Sequence, residues 1–500
     1  MSAISHWLVH WNVSGLYVLS VAGVTTRMRG YVAHHATLVA RYCAMTVSPL
    51  PESVVWTGDA AMTTEREGVS ATTKGSACRG PRRTRRYCTQ DAASSTASIW
   101  RHQAMDMEDA ATLSYEAFCA RYMARNRPVL LRNVTDQWFP RAAQWRDGRR
   151  INFQLLKAQY GAAEAPVASG DVAEYGAEER CTMRLGEYLE LVETGAAGKR
   201  YLKDWHFVHA FGHDIYETPP FFKDDWLNWW WDHKEKSESD YRFVYLGPAG
   251  SWTPLHHDVF RSYSWSVNVC GRKEWVFYHP DDEMKLKDRF GQFVLPDVTA
   301  EDVDREKYPH FHEAKPVYVI QETGDAIFIP SGWYHQVKNL EDTISINHNW
   351  FNGYNVRELW GFFKREYAAV EHELENLKEI GLVGREFVDQ CQLVMLANTG
   401  INCVEFRELL YAKANDLLSQ REQPGIKSSG GQGRDLLLHL GYVRDILSEL
   451  NVALKAVDEH SEANEVWLGV DLQLQTLTDA PNESNVSRCV ADARISYVCQ

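Results

Sequence analysis

None of the 10 cysteines forms a C-x-x-C pair, so zinc fingers and thioredoxin-like redox sites have no support. There is no internal repeat. There is no excess of positive charge: the formal net charge of −14 argues against nucleic acid as a partner and for a basic protein or peptide. A convincing apolar span is also missing. "HWLVHWNVSGLYVLSVAGV", from residue 6, has no basic segment before it and is interrupted by His and Asn, so neither a signal peptide nor a membrane anchor is predicted. Ten scattered cysteines in 500 residues read as reduced thiols, which predicts a cytoplasmic, or alternatively nuclear, protein.

What is present is unevenly spread. Residues 1–106 carry a net +5 and the remainder −19. "SATTKGSACRGPRRTRRYCTQDAASSTAS" is basic, rich in Ser, Thr and Ala, and poor in large apolar residues. Residues 1–106 therefore read as disordered, or as a misassigned extension ahead of a start at Met105 or Met107. From Met107 a helical spacing (Tyr115, Phe118, Tyr122) leads into a short strand, "PVLLRNV". Helices are expected at about 151–160 and 185–195, and a strand at "KRYLKDWHF". Residues 241–351 hold short β-rich runs separated by Gly, Pro, Asp and Ser, which predicts a mostly β core of the jelly-roll or barrel type. After Asn352 the pattern turns helical, with further helices at about 384–418, 433–457 and 462–477 and a Gly-rich linker at 420–435. The resulting organisation is an extension (1–106), a β-rich unit with its N-terminal helical and strand support (107–355, barrel core about 200–355) and a helical C-terminal region (356–500).

One short stretch carries the chemistry. "TPLHHD" ends in two adjacent histidines and an aspartate, His256, His257 and Asp258. Residues i and i+2 of a strand share a face, so His256 and Asp258 can reach one ion while His257 points away. Alone, the triplet means little, because roughly one H-x-D arises by chance in a chain of this length. His460-Ser461-Glu462 is a similar triplet that reads as solvated surface. A third ligand strengthens the case. In "GDAIFIPSGWYHQVKNL", His335 opens a strand after a Pro-Ser-Gly turn. Two His and one carboxylate leave three positions of an iron open. His335 by itself also reads as an ordinary core histidine. Lys273, 17 residues after His256, stands in an otherwise apolar strand, "SWSVNVCGRKEWVF". It is either a strand-edge lysine or a clamp for a carboxylate inside a barrel, since a buried ammonium needs a partner. An open metal beside a carboxylate clamp suits an α-keto diacid as co-substrate.

These residues resemble the Jumonji-C (JmjC) oxygenases, which use Fe(II), 2-oxoglutarate and O2. The similarity spans about residues 110–355 and rests on "TPLHHD…W…GRKEW" followed by "GDAIFIPSGWYHQVKNL…TISINHNWF". "RSYSWSVNVCGRKEWVFYHP" and "PSGWYHQVKN" are similar to the Jumonji-domain-containing protein 4 group, protein lysyl hydroxylases of a translation termination factor. The resemblance implies a double-stranded β-helix, cupin-like, with flanking helices. It implies His256, Asp258 and His335 as catalytic iron ligands, and Lys273 on the distal carboxylate of 2-oxoglutarate. It further implies Thr253 and Tyr201 as hydrogen-bond donors to that carboxylate, and Asn347 near the inner one. His257 departs from the family, which more often has a small residue there.

The activity so implied is that of a 2-oxoglutarate-dependent dioxygenase hydroxylating a lysine side-chain carbon in a basic segment of a termination factor. Nucleic-acid and membrane partners are not expected, and the C-terminal helices suit a homodimer. Three other readings compete. Histone methyl-lysine demethylation uses the same oxidative chemistry, but the chain has no Cys/His cluster of a zinc-binding histone reader. A non-catalytic JmjC-like scaffold would lack a ligand or the lysine, and all four are present. A cupin acting on a small metabolite would not need the helical C-terminal third. Trp226, Trp229, Trp230 and Trp231 fit either a substrate groove or a core-packing helix.

Overall fold

The computed structural model describes residues 105–172, 178–212, 215–234, 240–422, 431–455 and 465–477. The expected disorder of residues 1–106 and the His460 triplet fall outside these, apart from Met105 and Asp106.

Two sheets face each other. The larger takes β1 (Asp106–Asp109), β2 (Val129–Arg132), β3 (Glu164–Val172), β4 (Glu178–Arg184), β5 (Tyr201–Trp205) and β6 (Arg242–Gly247). The chain then enters the smaller sheet with β7 (Trp252–His256), returns for β8 (Tyr263–Cys270), and crosses again for β9 (Lys273–Tyr278) and β10 (Pro316–Gln321). It finishes with β11 (Ala326–Ile329) in the large sheet, β12 (Tyr334–Asn339) in the small one and β13 (Thr343–Trp350) in the large one. The large sheet runs β1-β2-β11-β8-β13-β6-β5-β3-β4 and the small one β10-β9-β12-β7. Apart from the parallel β1–β2 pair, the ladders are antiparallel. This repeated switching between sheets is the jelly-roll β-sandwich, the fold expected from the sequence.

Strand alternation decides what faces what. On β8, Tyr263, Trp265, Val267 and Val269 join the core beneath the N-terminal helices, α1 (Phe153–Tyr160) and α2 (Leu185–Glu193) among them. The alternate residues Ser264, Ser266 and Asn268 therefore face the interior of the sandwich. β13 repeats the pattern, with Ile344, Ile346 and Trp350 outward and Ser345, Asn347 and Asn349 inward. One end of the interior is closed by an apolar plug from both sheets, including Leu130, Trp275, Phe277, Ile327, Ile329 and Val337. Small polar side chains line the rest.

A further set of six helices builds a separate core. These are α3 (Trp226–His233), α4 (Val356–Glu373), α5 (Gly384–Thr399), α6 (Cys403–Arg421), α7 (Gly431–Ala453) and α8 (Glu465–Thr476). The single helix expected over 384–418 is two. Gly400 ends α5 in a left-handed conformation (φ 78°), and Asn402 caps α6 by accepting from the Glu405 amide. The linker expected to run to 435 is shorter, because α7 already begins at Gly431; residues 423–430 lie outside the described set. Trp226, Trp230 and Trp231 pack on this helical core. Lys413 stands over Trp226 and Trp229, at 5.6 Å and 4.6 Å from the ring centroids. The core-packing reading of the tryptophan run therefore holds. No helix among the described residues is long and apolar enough to cross a membrane.

Candidate metal centre and co-substrate pocket

β7 and β12 lie side by side with His256 directly opposite His335. Paired residues of an antiparallel ladder share a face, and the two rings stand 4.3 Å apart. The strand stops at His256, so His257 and Asp258 lie just beyond it rather than within it, as the sequence had suggested. Asp258 keeps an extended backbone (φ −64°, ψ 156°), which carries the alternation past the strand end. Its carboxylate comes within 4.0 Å of His335 Nε2. Ligand atoms of His256, Asp258 and His335 all lie within 4.8 Å of one another.

The tautomers follow from the neighbours. His256 Nδ1 is 2.7 Å from the Pro254 carbonyl and His335 Nδ1 is 3.2 Å from that of Trp333. A carbonyl only accepts, so each Nδ1 carries the proton and each Nε2 is free to ligate. Burial, and then the neighbouring His256, hold His335 below the usual histidine range. It is thus neutral and able to bind a metal. Both Asp258 oxygens are oriented: Ser264 Oγ donates to Oδ2 at 2.7 Å and Asn349 Nδ2 donates to Oδ1 at 3.0 Å. Two imidazoles and one aimed carboxylate fit Fe(II).

His257 faces the other way. Its ring meets Tyr334 edge-on at 5.1 Å, and Nδ1 donates to the Asp258 carbonyl at 2.8 Å. Tyr334 belongs to the core on the outer side of the small sheet. Burial, and then the charge of Arg261, push His257 down to about 4. It is a neutral packing residue.

Deeper in, Lys273 is 2% exposed. Its ammonium donates to Ser345 Oγ at 2.7 Å and Tyr201 OH at 3.2 Å. Among the described residues no carboxylate pairs with it, and burial alone lowers it to about 7. A lysine pointed into a polar interior without a counter-ion fits a carboxylate ligand. Tyr201 is pushed up by burial and stays a donor. Nearby Ser266 Oγ, Asn268 Oδ1 and Asn339 Oδ1 are buried without hydrogen-bond partners. Thr253 reaches the inner face through a β-bulge. His335 opposes His256 and Val337 opposes Thr253, so two steps on β12 match three on β7. Asn347 also faces inward and its Nδ2 lies 3.2 Å from Ser345 Oγ.

Sequence reasoning passed over Ser264, Ser345 and Asn349. Their signal was the polar alternation in "YSWSVNVC" and "TISINHNW", where every second residue is small and polar.

Known proteins resemble this chain over the same region. A cupin-like domain model matches residues 115–355. The chain is 44% identical over 319 residues to the chicken (Gallus gallus) 2-oxoglutarate and iron-dependent oxygenase JMJD4, covering 62% of this chain and 74% of that protein. The human protein of the same name is 37% identical over 349 residues, covering 67% and 82%. A plant relative, the arginine-specific demethylase JMJ20 of Arabidopsis thaliana, is 40% identical over 311 residues, covering 59% and 66%. With its His-Asp-His group and jelly-roll core, the chain belongs to the JMJD4 family of 2-oxoglutarate and iron-dependent oxygenases.

Proposed function

We propose that this oxygenase hydroxylates a lysine side-chain carbon in a basic segment of a protein substrate, a translation termination factor. The observation that carries the reading is the junction of β8 and β9. There, "RSYSWSVNVCGRKEWVFYHP", the stretch that resembles the lysyl hydroxylase group, supplies both Lys273 and the Ser264 that orients Asp258. Iron bound with 2-oxoglutarate supplies the oxidation, consuming O2 and releasing succinate and CO2 as a substrate carbon gains a hydroxyl.

The chain's own residues bind and orient. His256, Asp258 and His335 hold the metal. Lys273 grips the distal carboxylate of 2-oxoglutarate by a charge-assisted bond, with Tyr201 and Thr253 donating beside it. Asn347, on the same inner face, would serve the inner carboxylate. Burial of Lys273 and Tyr201 keeps water from competing for that end. The net −19 of the chain after residue 106 favours approach of a basic segment. Residues 107–355 form the catalytic unit in this reading and 356–500 the docking or dimerising one. The exposed Val452 of α7 and Leu468 and Leu472 of α8 support a homodimer. The five described cysteines are unpaired, which accords with the cytoplasm.

Histone methyl-lysine demethylation is the second reading; the name of the Arabidopsis relative, an arginine-specific demethylase, fits it only weakly. Turnover separates the two. With Fe(II), 2-oxoglutarate and lysine-bearing or methylated peptides, mass spectrometry should show a gain of one oxygen on lysine together with succinate. Loss of a methyl group from methyl-lysine or methyl-arginine, with no oxygen gained on unmodified lysine, would refute hydroxylation.

A further inference from the structure

Of the three ligands, Asp258 has the least secondary structure behind it: β7 stops two residues earlier. The residues that follow form a single 3-10 turn, Val259–Arg261, with an unusual backbone. Phe260 (φ 57°, ψ 8°) and Arg261 (φ 56°) both occupy the left-handed region. For side chains with a Cβ this region is strained, and such strain persists only where the surroundings impose it.

The surroundings impose it from two sides. Phe260 is buried in the C-terminal helical core, 5.5 Å from the ring of Phe363 on α4 and 5.5 Å from that of Tyr241. Arg261 leaves in another direction, and its Nη2 donates to Glu283 Oε2 at 2.5 Å. Glu283 is itself steadied by Lys287, whose ammonium donates to Oε1 at 2.7 Å. The Arg261 side chain also passes against the turn that leads into His335. A Cβ built on Gly332 (φ 72°) would stand 3.2 Å from Arg261 Nη1. One arginine therefore touches the turn behind Asp258 and the turn ahead of His335.

We propose that Phe260, Arg261 and Glu283 are positioning residues of the metal centre, holding the strained turn so that the Asp258 carboxylate meets the two imidazoles. The inference rests on the reading that Asp258 is an iron ligand. Without the lock, the turn relaxes towards right-handed or extended backbone, and the carboxylate keeps only Ser264 and Asn349 to direct it. None of the three touches the metal, so each acts through Asp258.

The test is metal affinity set against stability. Co(II) is titrated into the metal-free full chain without 2-oxoglutarate, for the wild type, Glu283→Gln, Arg261→Gln, Arg261→Gly, Arg261→Lys and Asp258→Ala. Thermal melting of each metal-free protein is recorded alongside. Glu283→Gln and Arg261→Gln should weaken Co(II) binding by about 10–100-fold, the usual range for residues that orient ligands, with melting close to wild type. Arg261→Gly accommodates the positive φ yet lacks the guanidinium, so it should weaken binding as Arg261→Gln does. Arg261→Lys should recover part of the loss. Wild-type affinity in Glu283→Gln and Arg261→Gln would overturn the proposal, as would losses that merely track melting. Wild-type affinity in Asp258→Ala would instead overturn the ligand reading itself.

Discussion

Replacing Lys273 with Met should stabilise the metal-free protein at pH 7 while removing its affinity for 2-oxoglutarate. Burial lowers Lys273 from the ordinary 10.5 to about 7. At pH 7 the unfolded lysine is fully charged and the folded one about half neutral, so folding must strip or bury that charge. The cost is about 4 kcal/mol at pH 7. Methionine carries no such cost. It forfeits the bonds to Ser345 and Tyr201, each worth about 1 kcal/mol. Both groups keep other partners, Asn347 for Ser345 and Asn339 for Tyr201. The net gain is about 2 kcal/mol at pH 7. The sign with pH is fixed by the depressed folded value. Between about 7 and 10.5 the unfolded state binds more protons, so wild-type stability rises with pH and the advantage of methionine fades by about 2 kcal/mol from pH 7 to 9. Urea denaturation of both metal-free proteins at the two pH values measures this. The same linkage makes 2-oxoglutarate binding take up a proton above pH 7, because the bound carboxylate favours the charged lysine. Calorimetry in buffers of different ionisation enthalpy detects that proton. A variant less stable than wild type at pH 7, or a stability gap that ignores pH, would mean that Lys273 is charged and already paired in the free protein.

Metal titration of His256→Ala should show Co(II) or Fe(II) binding lost, while His257→Ala binds metal and pays only in melting temperature; the reverse would place the ligand one residue later. Tyr201→Phe removes one donor from a carboxylate also held by Lys273, so the Kd for 2-oxoglutarate should rise by about tenfold, with metal affinity unchanged. Gly400→Ala places a Cβ where φ is 78° and should cost about 1 kcal/mol in denaturant unfolding, leaving 2-oxoglutarate turnover at wild-type rate.

The legible parts of this protein are those set by period and spacing. Alternation within strands paired His256 with Asp258 and turned His257 away, although the strand ends before either residue that follows His256. It worked because Asp258 keeps an extended backbone. The turn chemistry of "PSGW" and the lone lysine of β9 pointed to His335 and Lys273 for the same reason: each breaks a local pattern that apolar residues would otherwise continue. What stayed hidden depends on register or on distant packing. Thr253 and His256 are three apart and should face opposite sides of a regular strand; only the bulge against β12 returns Thr253 to the interior, and no local residue pattern announces it. Gly400 and Asn402 carry a readable stop and start, yet the apolar spacing on either side runs on smoothly enough to suggest one helix. The left-handed Phe260 and Arg261 are the extreme case. Nothing in "DVFRS" favours positive φ, and glycine, the residue that would signal it, is absent. The conformation exists because α4, a hundred residues later, provides the site for Phe260, and Glu283 provides the partner for Arg261. On the positioning proposal, a ligand that looks local in sequence takes its aim from elements far away in the chain, with α4 holding Phe260 and Glu283 holding Arg261.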